Sequence, residues 1–167
     1  AEIPPPVRES MTIAFWIRTT MHAEDVHRRP RGHWHNNTGL VDAEYPGVIP
    51  DFGCVLAAGR VGFGVGAPDR TVYGNRTITD GAWHHVAVTR DSDSGEVVIY
   101  VDGRLDRKDT APPGPRTAVK RRITVGCIQP DRNWFEGVID ELFFFDRVLN
   151  PQEIMYVARG RMKLETR

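Results

Sequence analysis

The 167-residue sequence predicts an all-β protein, a two-sheet antiparallel β-sandwich with one short C-terminal helix. Apolar residues recur with a period of two in many short segments, which is the spacing of half-buried β-strands. Short turn signals join several of these segments, among them AAGR, SDSGE and the DG pair that begins at Asp102. Many short strands with close turns favour a sandwich over alternating βαβ units.

The predicted strands follow one another along the chain. In the first, Met11, Ile13, Phe15 and Ile17 alternate with the residues between them, and the segment 96–102 repeats this alternation. Further strands are predicted at residues 39–42, 52–57, 60–65, 71–73, 83–90, 122–128 and 138–145.

The helix signal is the sequence NPQEI near the end of the chain. Asn150 can cap the helix, Pro151 suits its first turn, and Gln152 and Glu153 place favourable side chains there. Two other stretches show neither period. Residues 21–38 are polar and rich in histidine and arginine around Trp34, which predicts a long loop, and residues 110–122 combine Pro, Gly and basic residues, which predicts a surface connection.

Composition narrows the classes of function. With 22 basic and 22 acidic residues the formal net charge is zero, so no overall field attracts nucleic acid or an acidic membrane. No apolar run approaches the roughly 20 residues that cross a bilayer, so membrane insertion is not expected. The length fits a single domain over residues 1–167, and the start on Ala1 suggests a module of a larger protein.

The two cysteines are too few for a disulfide scaffold or a four-thiolate zinc site. Cys54 shares strand parity with apolar neighbours, and so does Cys127, which predicts that both side chains point into the core. Two buried free thiols and a bridge between adjacent strands both remain open at this point.

Five stretches taken together resemble one known family: MTIAFWIRT, DGAWHHVAVTRD, GEVVIYVDGRL, RITVGC and FEGVIDELFFFDRVLNPQEI. In order and spacing they are similar to laminin-G-like jelly-roll domains of the concanavalin A-like lectin/glucanase superfamily. The segments GLVDAEYPG and DFGCVLAAGRVGFGVG resemble the bacterial branch of that family, and the likeness spans residues 2–157. It implies two packed antiparallel sheets, with ligands bound on the concave face or its rim loops, and a secreted, periplasmic or cell-surface location.

The resemblance also implies candidate calcium ligands. Asp140, followed by Glu141, matches an acidic pair in the last long strand, where the aspartate holds a structural calcium or bonds to the amino-terminal segment. In the related pentraxins, Asp51, Gln129 and Asp131 of this chain fall where ligands collect. Calcium takes six to eight oxygen ligands, and sequence spacing alone does not assemble them. The nearby Asp42 and Glu44 form another acidic edge, which can equally be solvated.

Three aromatic residues on predicted loops, Trp34, Tyr45 and Trp134, are candidates to stack on sugar rings, with Asn133 beside the last of them. The alternative is that these aromatic rings tie the loops to the sandwich. His33 and His35 could approach a transition metal from one side, but no third ligand is evident and a solvated loop is favoured.

Two pairs of residues have the types found in catalytic sites, but we interpret both pairs as structural. His84 and His85 are neighbours on a strand, so they face opposite sides and cannot chelate one metal. Glu136 and Asp140 lie about 13 Å apart along an extended strand at 3.3 Å per residue, whereas a retaining glycosidase needs its carboxyls about 5 Å apart.

The leading hypothesis is therefore a non-catalytic module that binds a glycan or an extracellular polymer, with calcium as a candidate cofactor. The second is a protein interaction or assembly module that uses the loop 21–38 and the basic stretch 116–122. A glycan-cleaving enzyme on the same fold ranks third, because no correctly spaced acid pair is visible.

Overall fold

The computed structural model describes residues 9–21, 30, 32–116, 123–129 and 132–160. They form the predicted sandwich of two antiparallel sheets, each with five strands. The first sheet has the strand order β10-β1-β6-β7-β8, and the second has the order β5-β4-β3-β2-β9. The strands are β1 (Met11–Arg18), β2 (Thr38–Asp42), β3 (Phe52–Ala57), β4 (Arg60–Val65), β5 (Arg70–Thr77), β6 (His84–Arg90), β7 (Glu96–Val101), β8 (Arg104–Thr110), β9 (Thr124–Val125) and β10 (Val138–Phe145).

The core lies between the inner faces of the two sheets. The alternating apolar residues of β1 fill it from one side, and those of β3 and β4 fill it from the other. Phe52 and Phe63 stack across neighbouring strands, with ring centroids 6.4 Å apart. This arrangement confirms the period-two pattern, because residues of one parity meet the core while the other parity faces outward.

A short helix, α1 (Pro151–Ala158), packs on the outer face of the first sheet through Ile154 and Val157. The Asn150 side chain accepts hydrogen bonds from the backbone N–H groups of Gln152 and Glu153, at 2.9 and 3.0 Å. Glu153 in turn accepts from the Asn150 N–H at 2.8 Å. This reciprocal capping box confirms the helix start predicted from NPQEI.

Strand β8 is absent from the sequence prediction. It has the sequence RLDRKDT, lies at an edge of the first sheet, and exposes most of its side chains, so it carries no apolar alternation. Asp106 on β8 reaches edge strand β5 of the other sheet, where its carboxylate accepts from the N–H groups of Asn75 and Arg76 at 2.8 and 3.1 Å. This side chain joins the two sheets along one open edge of the sandwich.

Two strands differ from the predicted bounds by more than one residue at an end. The strand expected at 71–73 extends over Arg70–Thr77, and the strand expected at 122–128 shortens to Thr124–Val125. Gly126 ends β9 because it adopts a left-handed conformation, with φ of 81°. Residue 122 lies outside the described residues.

Cys54 and Cys127 are both buried and are not joined to each other, so the bridge that the sequence left open is not formed. Cys54 lies in the main core, and Cys127 is buried in the segment that follows β9.

Candidate functional site

The outer face of the second sheet is covered by Trp34, which lies in a 3-10 turn at Trp34–Asn36. Its indole packs with Val55 and Ile128 and is 1% exposed. The prediction of Trp34 as an exposed stacking platform is therefore wrong. The ring fits there because Gly53 and Gly64 have no side chains beneath it: a Cβ on Gly64 would lie 1.9 Å from the indole Cδ1.

The segment formed by residues 126–129 and 132–135 lies against β2 beside this turn. The N–H of Gly39 donates to the carbonyl of Asn133 at 3.0 Å, and the Asn133 side chain donates to the carbonyl of His35 at 3.1 Å. Asn133 has a positive φ of 52°, a conformation that asparagine tolerates better than most residues. Asn133, predicted as a ligand contact, therefore ties this segment to the turn that carries Trp34.

An acidic rim, which we define as Asp42, Glu44, Asp51 and Gln129, lies at the end of β2 and the start of β3. One Asp42 oxygen accepts from the backbone N–H of Gln129 at 3.1 Å, and an Asp51 oxygen accepts from that of Tyr45 at 2.8 Å. The Gln129 side-chain amide donates to Glu44. Asp51 and Gln129, which the pentraxin likeness implies as ligands, thus share Glu44 as a neighbour, and Asp42 joins the same group.

The two aspartates of the acidic rim are costly to ionise. Burial raises the pKa of Asp42 to about 7. Hydrogen bonds from the backbone N–H groups of Gln129 and Glu44 partly oppose this rise, and the charges of Glu44 and Asp51 add to it. Burial likewise raises the pKa of Asp51 to about 6, again with Glu44 nearby. In the described part of the chain, Oδ1 of Asp42 has no hydrogen-bond partner although the residue is 2% exposed. A cation would relieve this unfavourable concentration of negative charge.

Oxygen donors with negative charge suit a hard cation such as calcium. If each side chain gives one oxygen, three carboxylates and one amide supply four donors, fewer than a full calcium shell. No three His, Cys, Asp or Glu side chains among the described residues are grouped to hold a metal by themselves. Asp131 lies outside the described residues. Asp140 is exposed on β10, which belongs to the other sheet from the acidic rim. Its carboxylate accepts from the N–H of Glu141 at 2.8 Å.

The remaining aromatic candidates differ in exposure. Trp134 is 60% exposed on the same segment as Gln129, whereas Tyr45 is half-buried and follows Glu44 directly. Both therefore belong to segments that contribute to the acidic rim. A third tryptophan, Trp83, is 40% exposed at the opposite sheet and stacks under Arg18, with 5.1 Å from the guanidinium carbon to the ring centroid.

The two adjacent histidines face opposite sides of β6, as predicted. Both ring nitrogens of His84 lie 3.1 Å from carboxylate oxygens, one of Asp80 and one of Asp102. His85 is fully buried against Trp16, with ring centroids 5.4 Å apart, and burial lowers its pKa to about 4. Neither histidine reaches the acidic rim, so the pair serves the sandwich structurally.

Two buried arginines were not anticipated as a pair. The Arg90 guanidinium donates to the carbonyls of Pro112 and Gly114, at 3.0 and 2.6 Å. Arg116 donates to the Pro112 carbonyl at 3.0 Å, and both residues are at most 4% exposed. The expectation of an exposed basic stretch is therefore wrong for Arg116, because backbone carbonyls of its own connection draw it inward. Residues 117–122 lie outside the described residues.

Two packed antiparallel sheets with loops folded over one outer face define a β-sandwich of the jelly-roll type. Residues 3–155 match the sequence model of a Laminin G family described as the concanavalin A-like lectin/glucanases superfamily. The chain belongs to this superfamily, as its sequence motifs predicted. Among the described helices, none is long and apolar enough to cross a membrane.

Individual relatives extend this likeness. A rat protein named "Sushi, von Willebrand factor type A, EGF and pentraxin domain-containing protein 1" is 32% identical over 90 residues, and its mouse counterpart matches equally. The match covers 49% of this chain but 2% of those long proteins.

Solved structures share the fold at low identity. A Limulus polyphemus pentraxin is 16% identical with a TM-score of 0.59, and the match covers 93% of this chain and 71% of that one. A Bacteroides ovatus protein assigned to carbohydrate binding is 14% identical with a TM-score of 0.67, covering 89% of this chain and 40% of that one. The binding domain of Paraclostridial Mosquitocidal Protein 1 is 15% identical with a TM-score of 0.64, and the match covers 91% of this chain and 37% of that one.

Proposed function

We propose that this domain is a non-catalytic module that recognises a glycan or surface polymer at the acidic rim, with calcium bound there. The carrying observation is the buried, unpaired Oδ1 of Asp42 beside the carboxylates of Glu44 and Asp51. Such a concentration of negative charge is unfavourable by itself and becomes favourable around a cation. The named likenesses to a pentraxin and to a carbohydrate-binding protein support this reading of the fold.

Asp42, Glu44, Asp51 and Gln129 are the residues that would hold the calcium. Because no three acidic side chains of the described residues are grouped to hold a metal as they stand, their free oxygens would have to turn toward the ion, which would then offer open coordination positions to ligand oxygens. The chain's own part is to hold these donors in place. The backbone N–H of Gln129 fixes one Asp42 oxygen, and that of Tyr45 fixes one Asp51 oxygen. The exposed ring of Trp134 would cover an apolar face of a sugar. We expect weak affinity, because a shallow rim buries little ligand surface.

A catalytic role is less well supported. Glu136 is exposed before β10 begins and Asp140 is exposed on it, so the two carboxylates belong to a strand and its approach rather than to a cleft. We propose an extracellular, periplasmic or cell-surface location on the basis of the family. The alternative role in protein assembly has no specific support, since Trp34 and Arg116 are buried and much of the loop 21–38 lies outside the described residues.

Calcium binding can be measured by calorimetry on the wild type and on Asp51→Asn. We expect one bound calcium in the wild type and a loss of at least tenfold in affinity in the variant, because one charged donor is removed. Asp146→Asn is the matched control, since it removes an exposed carboxylate elsewhere. Absence of calcium binding in the wild type would contradict the proposed cofactor.

Glycan recognition can be measured separately on a glycan array, with calcium and with chelator. We expect binding in calcium that is lost in chelator and weakened by Trp134→Ala. Trp83→Ala is the matched control, because Trp83 is also exposed but lies at the other sheet. Failure to bind any glycan in calcium, or equal losses in the two tryptophan variants, would overturn the proposal.

A further inference from the structure

Two arginines are buried side by side at one end of the core. Arg90 ends β6 and is 0% exposed, and Arg116 lies in the connection that follows β8 and is 4% exposed. Arg90 shares its strand parity with Val86 and Val88, which pack in the core, so its side chain enters the sandwich rather than the solvent. Burial to this degree is unusual for arginine unless its charge is paired.

The two guanidinium groups are held close together by the same backbone carbonyls. The Nη2 atoms of Arg90 and Arg116 each lie 3.0 Å from the Pro112 carbonyl oxygen, so these two nitrogens are at most twice that distance apart. The Gly114 carbonyl accepts from Arg90 at 2.6 Å and from Arg116 at 3.4 Å. Two positive charges thus surround neutral oxygens, which satisfy hydrogen bonds but do not cancel charge.

The charge of this pair is not balanced by a contacting acid. No carboxylate of the described residues forms an ion pair with Arg90 or Arg116, and the charges of Asp91 and Asp51 act on them only from a greater distance. Burial lowers the pKa of Arg90 to about 10, and the charge of Arg116 adds to this effect. Like charges that share a buried site are unfavourable unless an opposite charge joins them.

The pair also leaves hydrogen-bond donors unused. Within the described structure, Nε and Nη1 of Arg90 and Nε of Arg116 are buried and have no hydrogen-bond partner. A buried donor without an acceptor is costly, and such donors are rare in folded proteins. Unpaired positive charge and unpaired donors therefore occur on the same two side chains, and both are satisfied by a negatively charged acceptor.

The occupied donors restrict the kind of anion that fits. A guanidinium holds two oxygens of one carboxylate or phosphate through a fork of neighbouring N–H groups, and Nη2 belongs to both forks. In Arg90 this nitrogen already donates to two carbonyls, and in Arg116 both terminal nitrogens donate to carbonyls. The donors that remain are single N–H groups in a buried place, which suit a small spherical anion better than a larger oxyanion.

We propose that Arg90 and Arg116 bind a monovalent anion of the size of chloride, which accepts hydrogen bonds from the donors that the backbone carbonyls leave unused. The site goes beyond the proposed function, because neither a glycan nor calcium takes part in it. Since Arg90 belongs to β6 and Arg116 to the connection after β8, the bound anion fastens that connection to the end of the core.

The anion can be located by anomalous diffraction from crystals soaked in sodium bromide, with chelator present. We expect a bromide peak within hydrogen-bond distance of an unpaired nitrogen of Arg90 or Arg116. A water molecule in that place, or bromide only at exposed side chains, would overturn the proposal. Chlorine-35 NMR tests binding in solution: the protein should broaden the chloride signal, and bromide should reverse the broadening. No broadening would mean binding at crystal concentration only, which also contradicts the proposal.

Thermal unfolding in chelator measures the effect on the folded state. Sodium chloride is exchanged for sodium gluconate at constant ionic strength, so that screening of exposed charges stays the same. Gluconate is too large for a buried site. Above its Kd, each tenfold increase in chloride should raise Tm by about 3–5 °C, because the anion binds only the folded protein. A Tm that does not depend on chloride would contradict the proposal.

Arg116→Met and Arg90→Met should each abolish the dependence of Tm on chloride. Arg116→Met decides alone if Arg90→Met does not fold. Arg76→Met is the matched control, because Arg76 also donates to a backbone carbonyl, that of Val101 at 3.3 Å, but is exposed. Retained dependence in the first two variants, or equal loss in the control, would refute the site. Asp51→Asn should not weaken chloride binding, so failure of the calcium proposal and failure of this one give different results.

Discussion

The indole of Trp34 lies directly on the backbone of Gly64, where an added Cβ would approach the ring to 1.9 Å. The second contact, at Gly53, is nearly as close, since a Cβ there would lie 2.4 Å from Cζ3. Two glycines on adjacent strands β3 and β4 thus form the floor on which the 3-10 turn rests. Adding a side chain at either glycine should displace the turn.

Gly64→Ala should lower the free energy of unfolding by about 2–3 kcal/mol, because the added methyl group overlaps a buried ring. Chemical denaturation of four proteins measures this: the wild type, Gly64→Ala, Trp34→Leu and the double variant. In the Trp34→Leu background we expect Gly64→Ala to cost less but still to destabilise the protein, because leucine can turn its Cγ away whereas its Cβ stays where the Trp34 Cβ lies, 2.4 Å from the added methyl group. Additive losses would show that Gly64 acts independently of the indole.

Asp42 should make the protein less stable as pH rises. Its pKa is about 7 in the folded protein against 3.8 in the unfolded chain, so between these values the folded state retains a proton that the unfolded state releases. Stability is therefore greatest below pH 4 as regards this group and is lost up to pH 7, by about 2 kcal/mol or more. Asp42→Asn should flatten this part of the pH profile in chelator, whereas Asp146→Asn should not.

His85 should act in the opposite direction. Its pKa is about 4 in the folded protein against 6.5 in the unfolded chain, so protonation of the unfolded chain lowers stability as pH falls from 6.5 to 4. His85→Leu should remove this acid sensitivity, worth up to about 3 kcal/mol. It should also leave stability at pH 7 equal or higher, because neither buried ring nitrogen has a hydrogen-bond partner within the described structure. The exposed His33→Gln is the control.

The two thiols should react only after unfolding. Both cysteines are buried, and burial together with the charge of Asp42 raises the pKa of the Cys54 thiol. A thiol reagent at pH 8 should therefore find no fast-reacting group in the native protein and two equivalents in denaturant without reductant. Zero equivalents in denaturant would reveal a disulfide.

The sequence predicts the strands that alternate between core and solvent, because one face of each is buried. The apolar pattern does not predict strand β8, because its charged side chains lie on an exposed edge. Only the preceding turn at Asp102 and Gly103 indicates a hairpin. The pattern does not predict the burial of Trp34 either, because the ring packs against strands that are distant in sequence. The signal was present in Gly53 and Gly64, whose missing side chains leave space on the outer face.

Only part of the candidate site could likewise be predicted from the sequence. The family likeness led to Asp51 and Gln129, which in the fold share Glu44 as a neighbour. The burial of Asp42 depends on Thr124 and Gln129, more than 80 positions later, and sequence spacing cannot measure that approach. The contact between β5 and β8 likewise joins two strands whose charged residues look like ordinary solvated positions when each strand is considered alone.

The carboxylate of Asp106 has one more consequence. By accepting two consecutive N–H groups of β5, it occupies backbone donors that an edge strand would otherwise offer to a strand from another molecule. Gly74 permits this, because a Cβ there would lie 2.4 Å from the Asp106 oxygen. At these two positions a strand of another copy finds no free backbone donor, which works against neighbouring copies joining into a continuous sheet along this border.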